Sequence, residues 1–479
     1  MNKFYITTTL PYVNAEPHLG FAMEIVQADI IARYHRLIGD EVIFNTGTDE
    51  HGIKIYRAAL EQNKNPQVYV DEYAAKFDAL KEALNLSYTH FIRTSNPHHK
   101  KAAQEFWKRC LKNGDIYKKI YKIKYCIGCE LEKTDSELTD GKCTIHPNLQ
   151  IEILEEENYF FKWSKYQESL LDLYEKNPEF VVPGFRLKEI KDFVSSGLQD
   201  FSISRLKEKL PWGIEVPNDP DQVFYVWFDA LINYISTLGW PEEDKKFSDY
   251  WPGIQIAGKD NLRQQSAMWQ AMLMSAGLPN SRQIIIHGFV TNAGQKMSKS
   301  LGNVIDPFEL VKKYSTEAVR FFIAYELNTF EDSDVTPERI HESYIAHLSN
   351  GLGNLVSRVA KMCEQNNIEV LNCPTEFDPK MTKHLDTYKF NEALNYIWEN
   401  ITETDKEINI KKPWELSGEK AKQVLEDLVK RIQIIAFNLQ PFLPETAEKI
   451  LKQFSGEINR GTIPTSVGIK SAPPLFPRL

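Results

Sequence analysis

At 479 residues, with 42% hydrophobic and 12% aromatic side chains, the chain is longer than one core usually grows, and two to four domains are expected. A net charge of −9 excludes a protein whose whole surface holds nucleic acid, so any RNA contact must use local basic patches. No run of eighteen apolar residues and no apolar leader is present, and six cysteines are too few for a disulfide scaffold; the expectation is a cytoplasmic protein without a membrane segment.

Phe4-Tyr5-Ile6-Thr7-Thr8 reads as a strand, and Phe21, Ile25, Ala28 and Ala32 then repeat at helical spacing. That helix should stop near Gly39, and Val42-Ile43-Phe44 resumes as strand, giving a β-α-β unit. Its loop puts His18 and Gly20 at a helix start, where free N–H groups and the helix dipole favour an anion. Taken alone, this His-x-Gly also reads as an ordinary helix cap. The second strand ends in Gly47-Thr48-Asp49-Glu50-His51-Gly52, polar residues at the carboxyl end of a parallel strand, where such sheets bind ligands.

Residues 71–113 read as helices, and Lys119 to Tyr125 alternates charged and apolar side chains as a half-exposed strand does. It runs into Cys126, Cys129, Cys143 and His146, a Cys-x2-Cys-x13-Cys-x2-His pattern. Paired knuckles of this kind offer four ligands to tetrahedral Zn²⁺, and a site filled by four protein ligands is structural.

Val223 to Leu231 is apolar enough for a buried strand entering a helix that carries Tyr234; by composition Trp227 and Tyr234 are core residues. Ile254 to Asp260 gives a further short strand with a polar end, and Ile284 to Val290 another. Gly294-Gln295-Lys296-Met297-Ser298-Lys299-Ser300-Leu301-Gly302-Asn303 follows. Two lysines, two serines and flanking glycines in ten residues suit a loop that closes over phosphate. Short helices are expected over Pro307–Tyr314 and Thr316–Tyr325, then a bundle of long helices at 336–365, 379–409, 417–438 and 444–455, and a proline-rich tail.

Lys-Met-Ser-Lys-Ser together with His-x-Gly resembles the paired signature of class I aminoacyl-tRNA synthetases. Leu10-Pro11-Tyr12-Val13-Asn14, Thr-Gly-Thr-Asp-Glu-His-Gly and the single zinc knuckle resemble the methionyl-tRNA synthetases among them. The resemblance implies a Rossmann-like doubly wound parallel α/β sheet in two halves, 1–115 and 216–290, around an inserted zinc-binding connective domain, 116–215. A linker with the lysine loop, 291–335, an all-α anticodon-binding helical bundle, 336–465, and a tail, 466–479, complete the chain.

The resemblance further implies the ligands ATP with Mg²⁺, L-methionine and tRNA(Met), and a monomer. His18, Lys296 and Lys299 would act on the triphosphate, with Gly20, Gly258 and Asp260 also at ATP. Leu10, Tyr12, Asp49, Trp227, Ala230, Tyr234, Asn261 and Gln265 would hold methionine, with Asp49 on the ammonium group. Aromatic walls favour a thioether by about 0.3–1.5 kcal/mol. Asn354, Arg358, Pro413 and Trp414 would read the anticodon.

The chain departs from the family pattern at three places. Phe21 stands where a second histidine is usual, and one phosphate donor is worth about 3–4 kcal/mol. Asn261 and Gln265 replace an aliphatic residue and a histidine, and a pocket contact is worth about 1–3 kcal/mol of discrimination. Two other assignments share parts of the pattern. One is a class I synthetase for leucine, isoleucine, valine or cysteine, opposed by the lack of a large editing insertion and by the bulk of Trp227. The other is a paralogue that binds tRNA without charging it, motivated by Phe21, Gln265 and the negative charge.

Overall fold

A computed structural model describes residues 1–129, 131–133, 138–297, 303–455 and 468–479. These form two compact units, one of Met1–Pro17, Gly39–Lys81 and Tyr88–His287, the other of His18–Ile38, Glu82–Ser87 and Gly288–Leu479.

The first unit is built on a six-stranded sheet of β1 (Lys3–Thr8), β2 (Glu41–Thr48), β3 (His90–Arg93), β4 (Val181–Val182), β5 (Ile254–Gly258) and β6 (Gln283–His287). Their order is β3-β2-β1-β5-β6-β4, every pair parallel. Apart from its first residue, each of β1 and β2 is buried throughout, as parallel strands covered on both faces require. The order reverses between β1 and β5, and the carboxyl ends of these two strands flank the crevice where such sheets bind ligands.

Residues 71–113, expected to be helical, contain the strand β3 between the helices Pro66–Asp78 and Pro97–Lys112. Four residues, only one of them buried, are too short a run for periodicity to show. The apolar run from Val223 is strand only to Phe224, in a small antiparallel sheet with Ser204–Leu206 and Glu215–Val216; Val226–Ala230 is a helix. Phe228 anchors that helix, its ring meeting Phe106, Trp107 and Phe161 at centroid distances of 5.9, 5.5 and 6.2 Å. Ile116–Cys126 and Glu152–Phe161 pair as a long antiparallel hairpin that carries the cysteine cluster at its far end.

The second unit is mainly helical. Pro307–Tyr314 and Thr316–Glu326 lie where sequence places them, as do Gly418–Leu439 and Pro444–Ser455. The helix expected over 379–409 is two, Pro379–Leu385 and Phe390–Lys411, because Tyr388 turns left-handed between them (φ 59°). The stretch 337–365 is continuous but passes through a wide π-turned segment, Tyr344–Gly353.

Buried charge ties this unit together. Arg320, fully buried, donates to the carbonyls of Phe442, Leu84 and Pro441 at 2.9, 3.0 and 3.3 Å and pairs with Asp29 at 2.8 Å. Asp29 also accepts from Arg33 (2.7 Å) and from the Ser87 backbone and hydroxyl (2.6 Å each). Burial would push the Asp29 carboxyl up, but the two guanidinium groups and Ser87 outweigh it and hold it below the ordinary range. Among the described residues no helix is long and apolar enough to cross a membrane. Arg320→Ala removes one of the two guanidinium partners of buried Asp29 and the donor to three carbonyls, and should lower the unfolding free energy by about 3–5 kcal/mol in urea titrations, whereas a change below about 1 kcal/mol would show the pair to be energetically idle.

Candidate active site and metal centre

Leu10 and Tyr12 follow directly on β1, and Asp49 follows β2. Tyr12 and Asp49 face each other in an isolated parallel bridge: Val13 donates to the Asp49 carbonyl at 3.2 Å and Asp49 to the Pro11 carbonyl at 3.0 Å. Each of the next two residues is committed elsewhere. Glu50 is fully buried and takes a forked pair of bonds from Arg93, 2.6 and 3.0 Å, while its carbonyl accepts from the Trp212 indole at 2.6 Å.

His51 reaches across the unit to Asp229. His51 Nδ1 lies 2.6 Å from Asp229 Oδ2, and His99 Nε2 lies 2.8 Å from Oδ1, with His99 Nδ1 in turn 2.9 Å from the Ser236 hydroxyl. All four side chains are buried. Burial alone would push the Asp229 carboxyl up; attraction to His51 and hydrogen bonds with both imidazoles outweigh it and hold the group at about 2. His51 and His99 were missed by sequence reasoning, because no local pattern links positions 51, 99 and 229.

Asp229 lies between Trp227 and Ala230 on one short helix, so this clamp fixes both. Trp227 is half-buried and joins Tyr12, Ile53 and Ile127 around a small cluster of Tyr125, Tyr225 and Val226. Ala230 and Tyr234 are buried close by in sequence, and the Tyr234 hydroxyl accepts from Gln265 Nε2 at 2.6 Å. The structure thus brings Tyr12 to Asp49 and Tyr234 to Gln265, and packs Tyr12 and Trp227 against the same small cluster. Leu10 and Asn261 are half-buried, and Asn261 donates to Asp260 at 3.3 Å.

Gly258 and His287 are register partners at the ends of β5 and β6. A Cβ at Gly258 would come within 2.9 Å of Asp260 Oδ1 and 3.5 Å of the His287 ring, so this crowded corner takes only glycine without adjustment. His287, buried at a strand's carboxyl end, belongs with Gly258 and Asp260 as a candidate nucleotide contact; its place at the strand end was the available signal.

In the second unit, His18 caps the helix Leu19–Leu37, its Nδ1 accepting from the Gly20 N–H at 3.1 Å. That bond assigns the neutral ring's proton to Nε2, the nitrogen able to donate to a phosphate oxygen. Gly20 leaves room for this ring position, since a Cβ there would lie 2.9 Å from His18 Cε1 and displace the imidazole; it would also lie 3.8 Å from the Met297 methyl. Leu19 donates to the Ile305 carbonyl at 3.0 Å. Both edges of the lysine loop therefore meet the start of this helix. Lys299, with 298–302, lies outside the described residues, and of Lys296 only the backbone is described, in the short strand Gln295–Lys296.

Cys126, Cys129, Cys143 and His146 do converge, their ligand atoms all within 4.8 Å of one another, and the group could hold a metal ion. Cys129 Sγ is 3.4 Å from Cys143 Sγ and 3.2 Å from His146 Nδ1. A tetrahedral ion with bonds of about 2.0–2.3 Å spaces its ligand atoms by about 3.5–3.8 Å, which this cluster nearly matches. Burial and hydrogen bonding to Cys143 push the Cys129 thiol up to about 12, so a cation is needed to favour thiolate there. Gly128 lets the imidazole close over the knuckle: a Cβ would sit 2.5 Å from His146 Cγ.

In the helical bundle, Arg358 pairs with Asp405 at 2.5 Å and donates to Asn409 at 3.1 Å. Asn354 is exposed one turn before it. Five residues beyond Asn409, after a left-handed turn at Lys412, buried Pro413 presents Trp414 with 56% of its surface exposed.

The clamp makes a pH prediction. The folded value of Asp229 lies below the ordinary 3.8, so its contribution to stability is fully present above about pH 4 and lost as pH falls toward about 2. Between about pH 5 and pH 2, the unfolding free energy of the unaltered protein should fall by about 2 kcal/mol more than that of Asp229→Asn, measured by denaturant titration; parallel curves would contradict the assignment.

Comparison with known proteins places the chain in a family. The sequence pattern of the family described as tRNA synthetases class I (M) matches residues 4–143 and 128–360. The chain is 40% identical over 477 residues to a methionine–tRNA ligase of Thermotoga maritima, covering 95% of this chain and 76% of that one. It is 40% identical over 517 residues to one of Thermosynechococcus vestitus, covering 99% and 97%. The structure of Mycobacterium tuberculosis methionyl-tRNA synthetase in complex with methionyl-adenylate superimposes with a TM-score of 0.93 at 36% identity over the whole of both chains. On this evidence the chain belongs to the class I tRNA synthetases, in the branch designated M.

Proposed function

We propose that this protein activates L-methionine with ATP and transfers it to the 3′ end of tRNA(Met). The observation that carries this reading is the group of side chains just past the carboxyl ends of β1 and β2, where Asp49 stands beside Tyr12, together with Trp227 on the helix held by the Asp229 clamp. A carboxylate there suits an α-ammonium group, and aromatic walls suit a thioether. In the first step an oxygen of the methionine carboxylate attacks the α-phosphorus and pyrophosphate leaves. In the second, the terminal ribose hydroxyl of tRNA attacks the adenylate carbonyl carbon and AMP leaves. Neither step needs a covalent enzyme intermediate, so the protein contributes positioning and charge stabilisation.

His18 Nε2 donates to the phosphates, supported by the helix start at Gly20, and Lys296 and Lys299 supply positive charge. Gly258 and Asp260 receive the adenosine and its ribose. Mg²⁺ carried by ATP neutralises phosphate charge. Zn²⁺ is the ion for the Cys3His cluster; with four protein ligands it has no open position and is structural. Asn354 and Arg358 hydrogen-bond anticodon base edges, while Trp414 on Pro413 stacks a base. Residues 116–215, apart from Val181–Val182, which returns to the main sheet as β4, serve as the connective insertion, and 336–465 as the anticodon-binding bundle of a cytoplasmic monomer.

Amino-acid-dependent ATP–pyrophosphate exchange tests the reading: methionine should support exchange, and a faster rate with another amino acid would overturn the substrate. Lys299→Ala should lower that rate by about 10²–10³ with methionine KM within a few-fold, whereas equal loss in both would remove Lys299 from the transition state. Trp414→Ala should leave exchange intact and lower kcat/KM for tRNA charging by about 5–100-fold, with unaltered charging contradicting a stacking role.

A further inference from the structure

Each residue of the turn Asp49-Glu50-His51 is held by its own partner. The Asp49 N–H donates to the Pro11 carbonyl at 3.0 Å and the Glu50 N–H to the Thr94 hydroxyl at 2.9 Å. The Glu50 carboxylate accepts from Arg93 and from the Thr48 hydroxyl, the latter at 2.7 Å, and His51 is bound to Asp229. One partner comes from outside both the parallel sheet and the clamp. Trp212 donates its indole N–H to the Glu50 carbonyl at 2.6 Å, and its ring lies 5.5 Å from the His51 imidazole, centroid to centroid. Glu50 is fully buried and His51 nearly so, which shields the peptide between them from water that could replace that donor.

Trp212 is itself fixed by the small antiparallel sheet around it. Two residues before it, the Leu210 N–H donates to the Leu206 carbonyl at 3.0 Å; two residues after it, the Ile214 carbonyl accepts from the Phe224 N–H at 2.8 Å. A Cβ on Gly213 would lie 3.2 Å from Val223 Cβ, so the chain beside Trp212 runs close against the strand Asp219–Phe224. Two residues past that strand begins the helix Val226–Ala230, which carries Trp227. The indole is therefore a second tie, separate from Asp229, between the turn that carries Asp49 and the frame from which the Trp227 helix starts.

We propose that Trp212 is a positioning residue for the Asp49 carboxylate: by fixing the peptide between Glu50 and His51, its indole N–H holds the turn in the conformation that receives the substrate's α-ammonium group. Trp212 acts through the Glu50 backbone. A charge-assisted hydrogen bond depends on the geometry of both partners, so a turn released at Glu50 weakens the ammonium contact and leaves contacts to the substrate side chain in place. The inference rests on the methionine reading of this site and adds the residue that keeps its ammonium contact aligned.

The test is the Kd of the full chain for three ligands, read by ligand-observed NMR, which detects millimolar binding. They are L-methionine, L-norleucine, in which a methylene replaces the sulfur, and 2-hydroxy-4-(methylthio)butanoate, in which a hydroxyl replaces the ammonium group. Trp212→Phe keeps a ring beside His51 and removes the N–H. It should raise the Kd of methionine and of norleucine together by about threefold to tenfold, and that of the hydroxy acid by less than about twofold. If Trp212→Phe does not give a folded protein, benzothienylalanine at position 212, with the shape of tryptophan and sulfur in place of the N–H, is scored instead and should give the same pattern. Equal weakening of all three ligands, unchanged methionine affinity, or a loss for methionine that norleucine does not share overturns the proposal. An unaltered protein that binds the hydroxy acid as tightly as methionine overturns the assignment of Asp49 to the ammonium group itself.

Discussion

The arrangement of the candidate site depends on one buried carboxylate between two imidazoles. Asp229 joins His51, just past β2, to His99 on the helix Pro97–Lys112, and it sits on the same short helix as Trp227 and Ala230. Removing a carboxylate from water is costly unless hydrogen bonds and opposite charge replace the solvent, and here both oxygens are taken. The arrangement fixes a five-residue helix too short to hold its own shape. Because His51 lies two residues from Asp49, the same contact ties the end of β2 to the helix that carries Trp227. Phe228 supplies the apolar half of the anchorage by packing on Phe106, Trp107 and Phe161.

The Cys3His cluster sits beside the same group of side chains, outside the sheet. Ile127 lies between the knuckle cysteines and packs with Tyr12 and Trp227 around Tyr125, Tyr225 and Val226. Arg205 stacks over Tyr225 with its guanidinium 4.5 Å from the ring centroid, adding a further support to that cluster. A structural ion at the Cys3His group would therefore stabilise a turn whose apolar side chain packs against the same cluster as Tyr12 and Trp227.

Local sequence pattern reported the elements that are long or that carry their chemistry at close spacing. The cysteine knuckles, His18 with Gly20 and the helix Pro307–Tyr314 behind Asp306 were readable because each is set by neighbours within a few residues. The strand His90–Arg93 was not, being short, mostly half-exposed and flanked by helices. The break at Tyr388 was hidden because a tyrosine carries no turn signal, and its left-handed backbone depends on tertiary context. Asp49 and Trp227 are singled out as site candidates by resemblance, whereas the histidines that hold Asp229 and the amides behind Tyr234 act across long sequence separations and appear only in the fold. The substitutions at Asn261 and Gln265 read as a more polar pocket; for Gln265 the structure gives a specific partner, Tyr234, and a chain of donors behind it.

A crystal structure of this protein with a non-hydrolysable methionyl-adenylate analogue tests the central claim most directly. The account predicts the ligand's ammonium group within hydrogen-bond distance of Asp49, its thioether between Tyr12, Trp227 and Tyr234, and the Asp229 contacts to His51 and His99 unchanged. A ligand whose side chain lies outside those rings, or whose ammonium group is held by a residue other than Asp49, would contradict it.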